Sequence, residues 1–256
     1  MTILQSLILG IIEGLTEFLP ISSTFHLIWT AKIMQVQTNE FLKTFEVIIQ
    51  SGAILAVVIL YFNELIKNTK LIKNLIISFI PTALVGLFLY KTIKNVFFEN
   101  YLLQILIFLA AGIFFLLYEK QERKNKLKQI SGVTYSDAIL IGLFQSLAIF
   151  PGVSRAGAVI IGMMVLKYSR LESAKYSFLL AIPTIISAGV LDLIKSDVLS
   201  LSASQISSLG VGFVTAFITA YVVIKWFITY LQKNTLVSFG WYRIIVAILL
   251  LSFVWI

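Results

Sequence analysis

Two acidic residues, Glu13 and Glu17, lie four positions apart in an otherwise apolar segment near the start of the chain. Residues at this spacing share one face of a helix, so the two carboxylates would lie side by side. Carboxylates within an apolar segment are costly and indicate a functional site. Their mutual repulsion predicts a bound divalent cation, Mg²⁺ with Ca²⁺ as the alternative, because Mg²⁺ favours carboxylates together with substrate phosphate oxygens. A polar helix contact without a ligand is the alternative.

A proline and three successive hydroxyl side chains interrupt the same segment. Residues 20–26 read PISSTFH and include the single histidine of the chain, His26. A hydroxyl becomes a useful nucleophile when a base takes its proton, and histidine is the usual base. One of these hydroxyls is therefore a candidate nucleophile with His26 as its base, and we predict that Ser22 and Thr24 bind phosphate at the break. Helix capping by Ser22 and Thr24 and a structural role for His26 are the alternatives.

A second break carries a permanent cation. Residues 151–157 read PGVSRAG, and Arg155 lies within an apolar run. A guanidinium binds phosphate through two parallel hydrogen bonds, and glycine lets a backbone approach a ligand closely. We therefore predict that Arg155 acts in catalysis and, with Gly152 and Gly157, in substrate binding. A structural ion pair between Arg155 and one acid of the first segment is the alternative.

The two breaks together hold the parts that phosphoryl transfer needs, namely charge neutralisation, an in-line nucleophile and a positioning cation. The elements that position them must be membrane helices. Of the 256 residues, 59% are hydrophobic and 12% are charged, whereas about a quarter of a soluble domain is charged. The exterior must therefore face lipid, and a single integral membrane domain over residues 1–256 is the simplest organisation.

Six apolar runs are long enough for a helix of about 20 residues to cross the hydrocarbon core. They lie near 45–62, 75–90, 101–118, 176–194, 206–230 and 238–256. Two further stretches, at about 3–29 and 135–167, contain the breaks. Interrupted backbone at membrane depth must be buried in protein or line a wet cavity, so we predict re-entrant hairpins. Glu46 and Gln50, at the start of the first run, either line the same pocket or form an interfacial polar end.

The basic residues predict the orientation and argue against nucleic acid as a partner. The formal net charge is +8, and the cations stand in short clusters between the apolar runs. Placing the loops around 67–73, 120–128 and 167–175, together with Lys233, on the inside gives twelve basic residues there and five outside. The positive-inside rule then places both termini outside, and anionic membrane lipids are the expected contacts of the clusters.

The two broken segments match each other in sequence. Residues 9–18 (LGIIEGLTEF) correspond to 141–150 (IGLFQSLAIF) with an offset of 132, and proline, serine and about three spans follow each match. The chain therefore divides into halves, about 1–130 and 131–256, each a re-entrant hairpin plus three transmembrane helices. An odd number of crossings separates the hairpins, which predicts an all-α polytopic membrane protein with an inverted-topology repeat. Chance similarity of apolar segments is the alternative.

These motifs resemble the undecaprenyl-diphosphate phosphatases, also called the bacitracin-resistance protein family. The resemblance extends over essentially the whole chain and rests on four segments: 13–26 (EGLTEFLPISSTFH), 44–50 (TFEVIIQ), 151–157 (PGVSRAG) and 177–183 (SFLLAIP). It implies a metal-dependent phosphatase of the bacterial inner membrane, with its site open to the outside. Its reaction would convert undecaprenyl diphosphate to the monophosphate carrier lipid of cell-wall synthesis.

The resemblance also assigns roles to residues and partners. The positions that match functional positions of the family are Glu13, Glu17, Ser23, His26, Ser154 and Arg155, with Ser154 binding substrate. The resemblance implies either a serine or the histidine as nucleophile, and of these we predict Ser23 with His26 as its base. Three residues depart from the family pattern: Phe25 replaces a usual glycine, Ala156 a serine and Val159 a threonine. The expected partners are the polyprenyl diphosphate and membrane lipids, with a homodimer left open. A lipid-phosphate transporter or flippase is the competing function, because inverted repeats are common in transporters.

Overall fold

Helices account for nearly all of the secondary structure. The computed structural model describes residues 1–97, 100–121, 127–195 and 201–254. Within these ranges the one β element is an isolated bridge between Lys128 and Tyr168. The same ranges form ten α-helices: α1 (Ile3–Thr16), α2 (Ser23–Ile33), α3 (Glu40–Lys67), α4 (Thr69–Phe97), α5 (Tyr101–Gln121), α6 (Tyr135–Ser146), α7 (Arg155–Val165), α8 (Arg170–Lys195), α9 (Ala203–Leu231) and α10 (Val237–Val254). The predicted all-α fold is confirmed.

Five of these helices are long and apolar enough to cross a membrane, namely α3, α4, α5, α8 and α9. α3 and α9 have 28 and 29 residues, which corresponds to about 40 Å at the helical rise. Large apolar side chains such as Ile59, Phe88 and Trp226 are exposed on their surfaces, as contact with lipid tails requires. The chain is therefore a multi-pass membrane protein, as predicted.

The sixth predicted span falls on α10. Its Val237–Ser252 portion belongs to the shorter apolar helices, and positions 255 and 256 of the predicted run lie outside the described residues. Arg123, Lys124 and Lys126 of the basic loop near 120–128 also lie outside them. The sixth crossing and the orientation in the membrane stay predictions.

The two broken segments form pairs of short helices. α1 and α2 have 14 and 11 residues, and α6 and α7 have 12 and 11. None is longer than about 21 Å, well short of the roughly 30 Å hydrocarbon core. Within each pair the two helices pack on one another. These lengths and contacts are the ones that re-entrant hairpins require.

The backbone of the two hairpins repeats with the same offset as the sequence. Among the described residues, the non-glycine positions with a left-handed backbone are Ser22 and Gln35 in the first half and Ser154 and Lys167 in the second. Each first-half residue has its counterpart 132 positions later. A left-handed conformation costs a non-glycine residue roughly 1 kcal/mol or more, so two such pairs at one spacing argue against chance similarity. The opposite orientation of the halves and their boundary near residue 130 stay predictions.

The first helix of each hairpin packs against a long helix of the other half, α1 on α9 and α6 on α4. Equivalent glycines make both contacts close. A Cβ on Gly10 would lie 2.1 Å from Oγ1 of Thr215, and a Cβ on Gly142 would lie 2.2 Å from the carbonyl oxygen of Ser78. Since no side chain fits at either place, these contacts fix how deeply each hairpin lies in the protein.

Candidate active site

The two breaks meet inside the protein. Arg155 donates from Nη2 to Oε1 of Glu17 at 2.6 Å, although the two residues are 138 positions apart in sequence. Its Nη1 donates to the carbonyl oxygen of Ser177 in α8 at 2.8 Å. The two side chains of the ion pair are 11% and 7% exposed. The structure thus contains the ion pair that the sequence left as an alternative, and the pair joins the two halves.

Glu17 also accepts a hydrogen bond from a hydroxyl. Its Oε2 receives the Oγ–H of Ser23, the first residue of α2. A carboxylate in this position can take the serine proton, which activates the oxygen as a nucleophile. The guanidinium of Arg155 binds the other carboxylate oxygen of Glu17. A base, a hydroxyl and a phosphate-binding cation therefore lie in contiguous hydrogen-bond contact.

The predicted pairing of Ser23 with His26 is absent from the hydrogen bonds of the described residues. Nδ1 of His26 lies 2.8 Å from the carbonyl oxygen of Ser22, and Nε2 lies 2.7 Å from the hydroxyl oxygen of Tyr242 in α10. Nδ1 must donate to the carbonyl, so in the neutral imidazole Nε2 accepts from the tyrosine. Helical side chains point back along the helix, which brings this ring to the carbonyl four residues earlier. Glu17 replaces His26 as the partner of Ser23.

Glu13 is a buried carboxylate that accepts no hydrogen bond from the described residues. It has 0% exposure, and neither of its oxygens has a hydrogen-bond partner in that part of the chain. The charged side chains that act on it are Glu17, Glu46 and Arg155. An unpartnered buried carboxylate beside further acids fits a divalent cation. The described part of the chain contains no cluster of three or more His, Cys, Asp or Glu side chains suited to a metal, so the cation would need substrate phosphate oxygens as further ligands.

A cavity of about 320 Å³ adjoins both breaks. The predicted site residues that line it are Glu17, Ser22, Ser23, Thr24, Gly152, Ser154 and Arg155. Gln50 of α3 lines it as well, which favours the pocket over the interfacial interpretation for that residue. Glu13, His26 and Gly157 do not line the cavity. The hydroxyl of Ser23 and the guanidinium of Arg155 therefore line the cavity, whereas the carboxylate of Glu13 lies behind them.

Several predicted binding residues have structural contacts. Oγ of Ser154 accepts from the N–H of Gly157 at 3.2 Å and so caps α7, whereas Ser22 makes no side-chain cap. Gly152 has φ of 103°, and a Cβ there would lie 2.9 Å from a carbonyl oxygen of α5. A Cβ on Gly157 would lie 2.8 Å from the ring of Phe115. The two glycines thus permit close packing against α5.

The three departures from the family pattern lie in the interior behind the breaks. Phe25 is buried and stacks on Phe108 of α5, with ring centroids 4.0 Å apart. Ala156 and Val159 have 0% exposure. None of the three lines the cavity, so they alter the packing around the site and leave its polar surface as described.

Arg243 in α10 is a residue of the site that the sequence interpretation missed. Its side chain is fully buried. It donates to the carbonyl oxygens of Pro20 at 2.9 Å, of Phe108 at 3.2 Å and of Gly152. One guanidinium therefore binds the backbone of both breaks and of α5. An arginine within an apolar run itself indicates a functional role. The argument that identified Arg155 from the sequence therefore applies equally to Arg243.

The fold and site define a multi-pass membrane protein whose buried carboxylate, hydroxyl and guanidinium are suited to an anionic, phosphate-bearing ligand. Residues 6–249 match the family model of the bacitracin resistance protein BacA, and the chain belongs to this family. The undecaprenyl-diphosphatase of Aquifex aeolicus (strain VF5) is 44% identical over 254 residues, which cover 99% of each chain. That of Sulfurihydrogenibium sp. (strain YO3AOP1) is 46% identical over 252 residues, covering 97% of this chain and 98% of the relative.

Proposed function

We propose that this protein hydrolyses undecaprenyl diphosphate to undecaprenyl monophosphate and phosphate. The observation that carries the proposal is the contact of Ser23 and Arg155 with one carboxylate, Glu17, beside a shared cavity. The names of the relatives supply the substrate class. Both are called undecaprenyl-diphosphatases, and this chain matches each of them over nearly its full length. The product is the carrier lipid that cell-wall synthesis reuses.

In the proposed reaction Oγ of Ser23 attacks the terminal phosphorus and its proton passes to Oε2 of Glu17. The bond between that phosphorus and the bridging oxygen breaks, and the lipid monophosphate leaves with the electron pair. Water then attacks the phosphoserine while Glu17 returns its proton to the departing serine oxygen, and the phosphate leaves with the oxygen and the protons of that water. Arg155 binds the phosphate oxygens throughout. The contacts of His26 with Ser22 and Tyr242 favour the serine over the histidine as nucleophile.

The proposal includes a divalent cation, Mg²⁺ with Ca²⁺ as the alternative, held by Glu13 and Glu17 together with substrate phosphate oxygens. When bound, it would neutralise the negative charge that gathers on the phosphate. The unpartnered oxygens of Glu13 support this part of the proposal. Buried acids without such a partner would repel one another and the incoming diphosphate.

The proposed location is the bacterial inner membrane, with the site open to the outer face. The five apolar helices support a membrane location, and the excess of basic residues in the loops placed inside supports the outward orientation. The partners in this proposal are the polyprenyl diphosphate and the surrounding lipids, including anionic headgroups at the basic loops. Nucleic acid has no part in it, and a homodimer stays a prediction.

The test is a phosphate-release assay on the purified protein in detergent, with farnesyl and undecaprenyl diphosphate. We expect release from both lipids, loss on addition of a chelator, and recovery on adding Mg²⁺. Arg155→Ala should reduce release at least about a hundredfold, while Lys225→Met, which removes an exposed cation of α9, should not. A folded protein that releases no phosphate but moves the lipid across vesicles would instead support the flippase.

A further inference from the structure

The cavity has a second polar surface that the chemistry of Ser23, Glu17 and Arg155 does not use. Thr82 of α4, Gln145 of α6 and Thr184 of α8 all line it. Nε2 of Gln145 donates to Oγ1 of Thr82 at 2.8 Å, and Oε1 of Gln145 accepts from Oγ1 of Thr184 at 3.4 Å. We call these three residues the neutral cluster. It is built from three elements, and no part of it carries a charge.

The hydroxyls of the neutral cluster are the groups that a ligand can reach. Thr82 and Thr184 are partly exposed, whereas Gln145 is buried and holds both of them. The proton of Thr82 is directed to the carbonyl oxygen of Gly142 at 3.2 Å. The single proton of Thr184 has two acceptors, the carbonyl oxygen of Leu180 at 2.8 Å and Oε1 of Gln145 at 3.4 Å. Rotation of the hydroxyl about its C–O bond exchanges such an acceptor for a phosphate oxygen in the cavity.

One helical turn beyond each threonine, the cavity is lined by a small residue that leaves space. Gly86 follows Thr82 on α4, Ala188 follows Thr184 on α8, and both small residues line the cavity. A Cβ added to Gly86 would meet no atom within 4 Å. The neighbouring lining is apolar and includes Ile149 and Ile185. An isoprenoid chain is the ligand part that this combination of space and apolar wall would accept.

From this geometry we infer that the neutral cluster binds the inner phosphate of the lipid, and that its first isoprene units pass between α4 and α8 at Gly86 and Ala188. This inference rests on the proposed function and adds the direction in which the substrate lies. The charged groups hold the terminal phosphate, which is attacked. The neutral hydroxyls hold the phosphate that leaves with the lipid, and an uncharged site releases that product more readily than a second arginine would.

The test uses binding of undecaprenyl monophosphate, which has the chain and the inner phosphate but lacks the terminal one. Gly86→Leu and the double variant Thr82→Val with Thr184→Val should each weaken its binding at least about tenfold. Matched controls on α9 are Gly210→Leu, where a Cβ also has no atom within 4 Å, and Thr229→Val, whose hydroxyl is exposed.

Wild-type affinity in Gly86→Leu or in the double threonine variant overturns the inference. The two proposals fail separately, because monophosphate binding is measured without hydrolysis. If the wild type released no phosphate from either diphosphate, the proposed function would fail, whatever the binding result. If the wild type hydrolysed both lipids while the variants bound the monophosphate normally, the reaction would stand and the direction of the lipid would be wrong. Thermal melting of each variant checks that it is folded.

Discussion

Glu17 makes two contacts, one with each oxygen of its carboxylate. Arg155 donates to one oxygen, and the hydroxyl of Ser23 donates to the other. Binding of a diphosphate would free the first oxygen if Arg155 turned towards the phosphate oxygens. The Nε of Arg155 is buried and has no hydrogen-bond partner among the described residues, so the guanidinium has a donor to spare for such a ligand. The ion pair of the free protein is then a resting contact that substrate replaces.

Replacement of Glu17 by glutamine tests this assignment. Glu17→Gln keeps the size of the side chain but can neither take the serine proton nor pair with Arg155, so kcat should fall at least about a hundredfold. Tyr242→Phe removes only the hydroxyl that contacts His26, and its kcat should stay within about tenfold of the wild type. Steady-state phosphate release measures both variants.

The matched control for the glutamine variant is Glu64→Gln. Glu64 pairs with Lys175 at 2.8 Å, is partly exposed and does not line the cavity. Loss of this ion pair should leave kcat unchanged, because an ion pair at the surface contributes little to stability. If Glu17→Gln kept nearly full activity while Tyr242→Phe lost it, His26 would be the base after all.

At the level of helices, the glycine contacts between α1 and α9 decide where the acids lie. Gly10→Ala places a methyl group 2.1 Å from Oγ1 of Thr215, so it should destabilise the protein by about 1–3 kcal/mol and lower activity. Gly210→Ala, in α9, meets no atom within 4 Å and should stabilise the helix by about 0.5–1 kcal/mol. Thermal melting in detergent distinguishes the opposite signs. Equal melting temperatures for the two variants would contradict the packing account.

The helices and breaks could be predicted because their signals are local. Proline and hydroxyls within an apolar run mark a break wherever they occur, and a repeat in sequence implies a repeat in backbone. The partner of Ser23 could not be predicted, because it depends on the turn between α1 and α2. Thr82 and Thr184 gave no signal either, since threonines in membrane helices commonly bond to their own backbone, as Thr184 does.

In the whole molecule, polar contacts join the two halves at the site. The ion pair between Glu17 and Arg155 is one of them. Arg243 adds a contact with both breaks, because its guanidinium binds the carbonyl of Pro20 in the first break and that of Gly152 in the second. The central carbon of this guanidinium also lies 4.4 Å from the centroid of the Phe108 ring. The last helix of the second half thereby sets the distance between the breaks, and with it the distance from nucleophile to cation.

Arg243 should therefore be sensitive even to a conservative change. In Arg243→Lys the ammonium keeps the charge but cannot reach the carbonyls of Pro20, Phe108 and Gly152 together, and each buried carbonyl left unpaired costs about 1–3 kcal/mol. We expect both a lower melting temperature and a fall in kcat of at least about tenfold. Lys225→Met, which removes an exposed cation from α9, is the control and should change neither. Wild-type kcat in a folded Arg243→Lys protein would mean that the separation of the breaks is fixed by the helices around them.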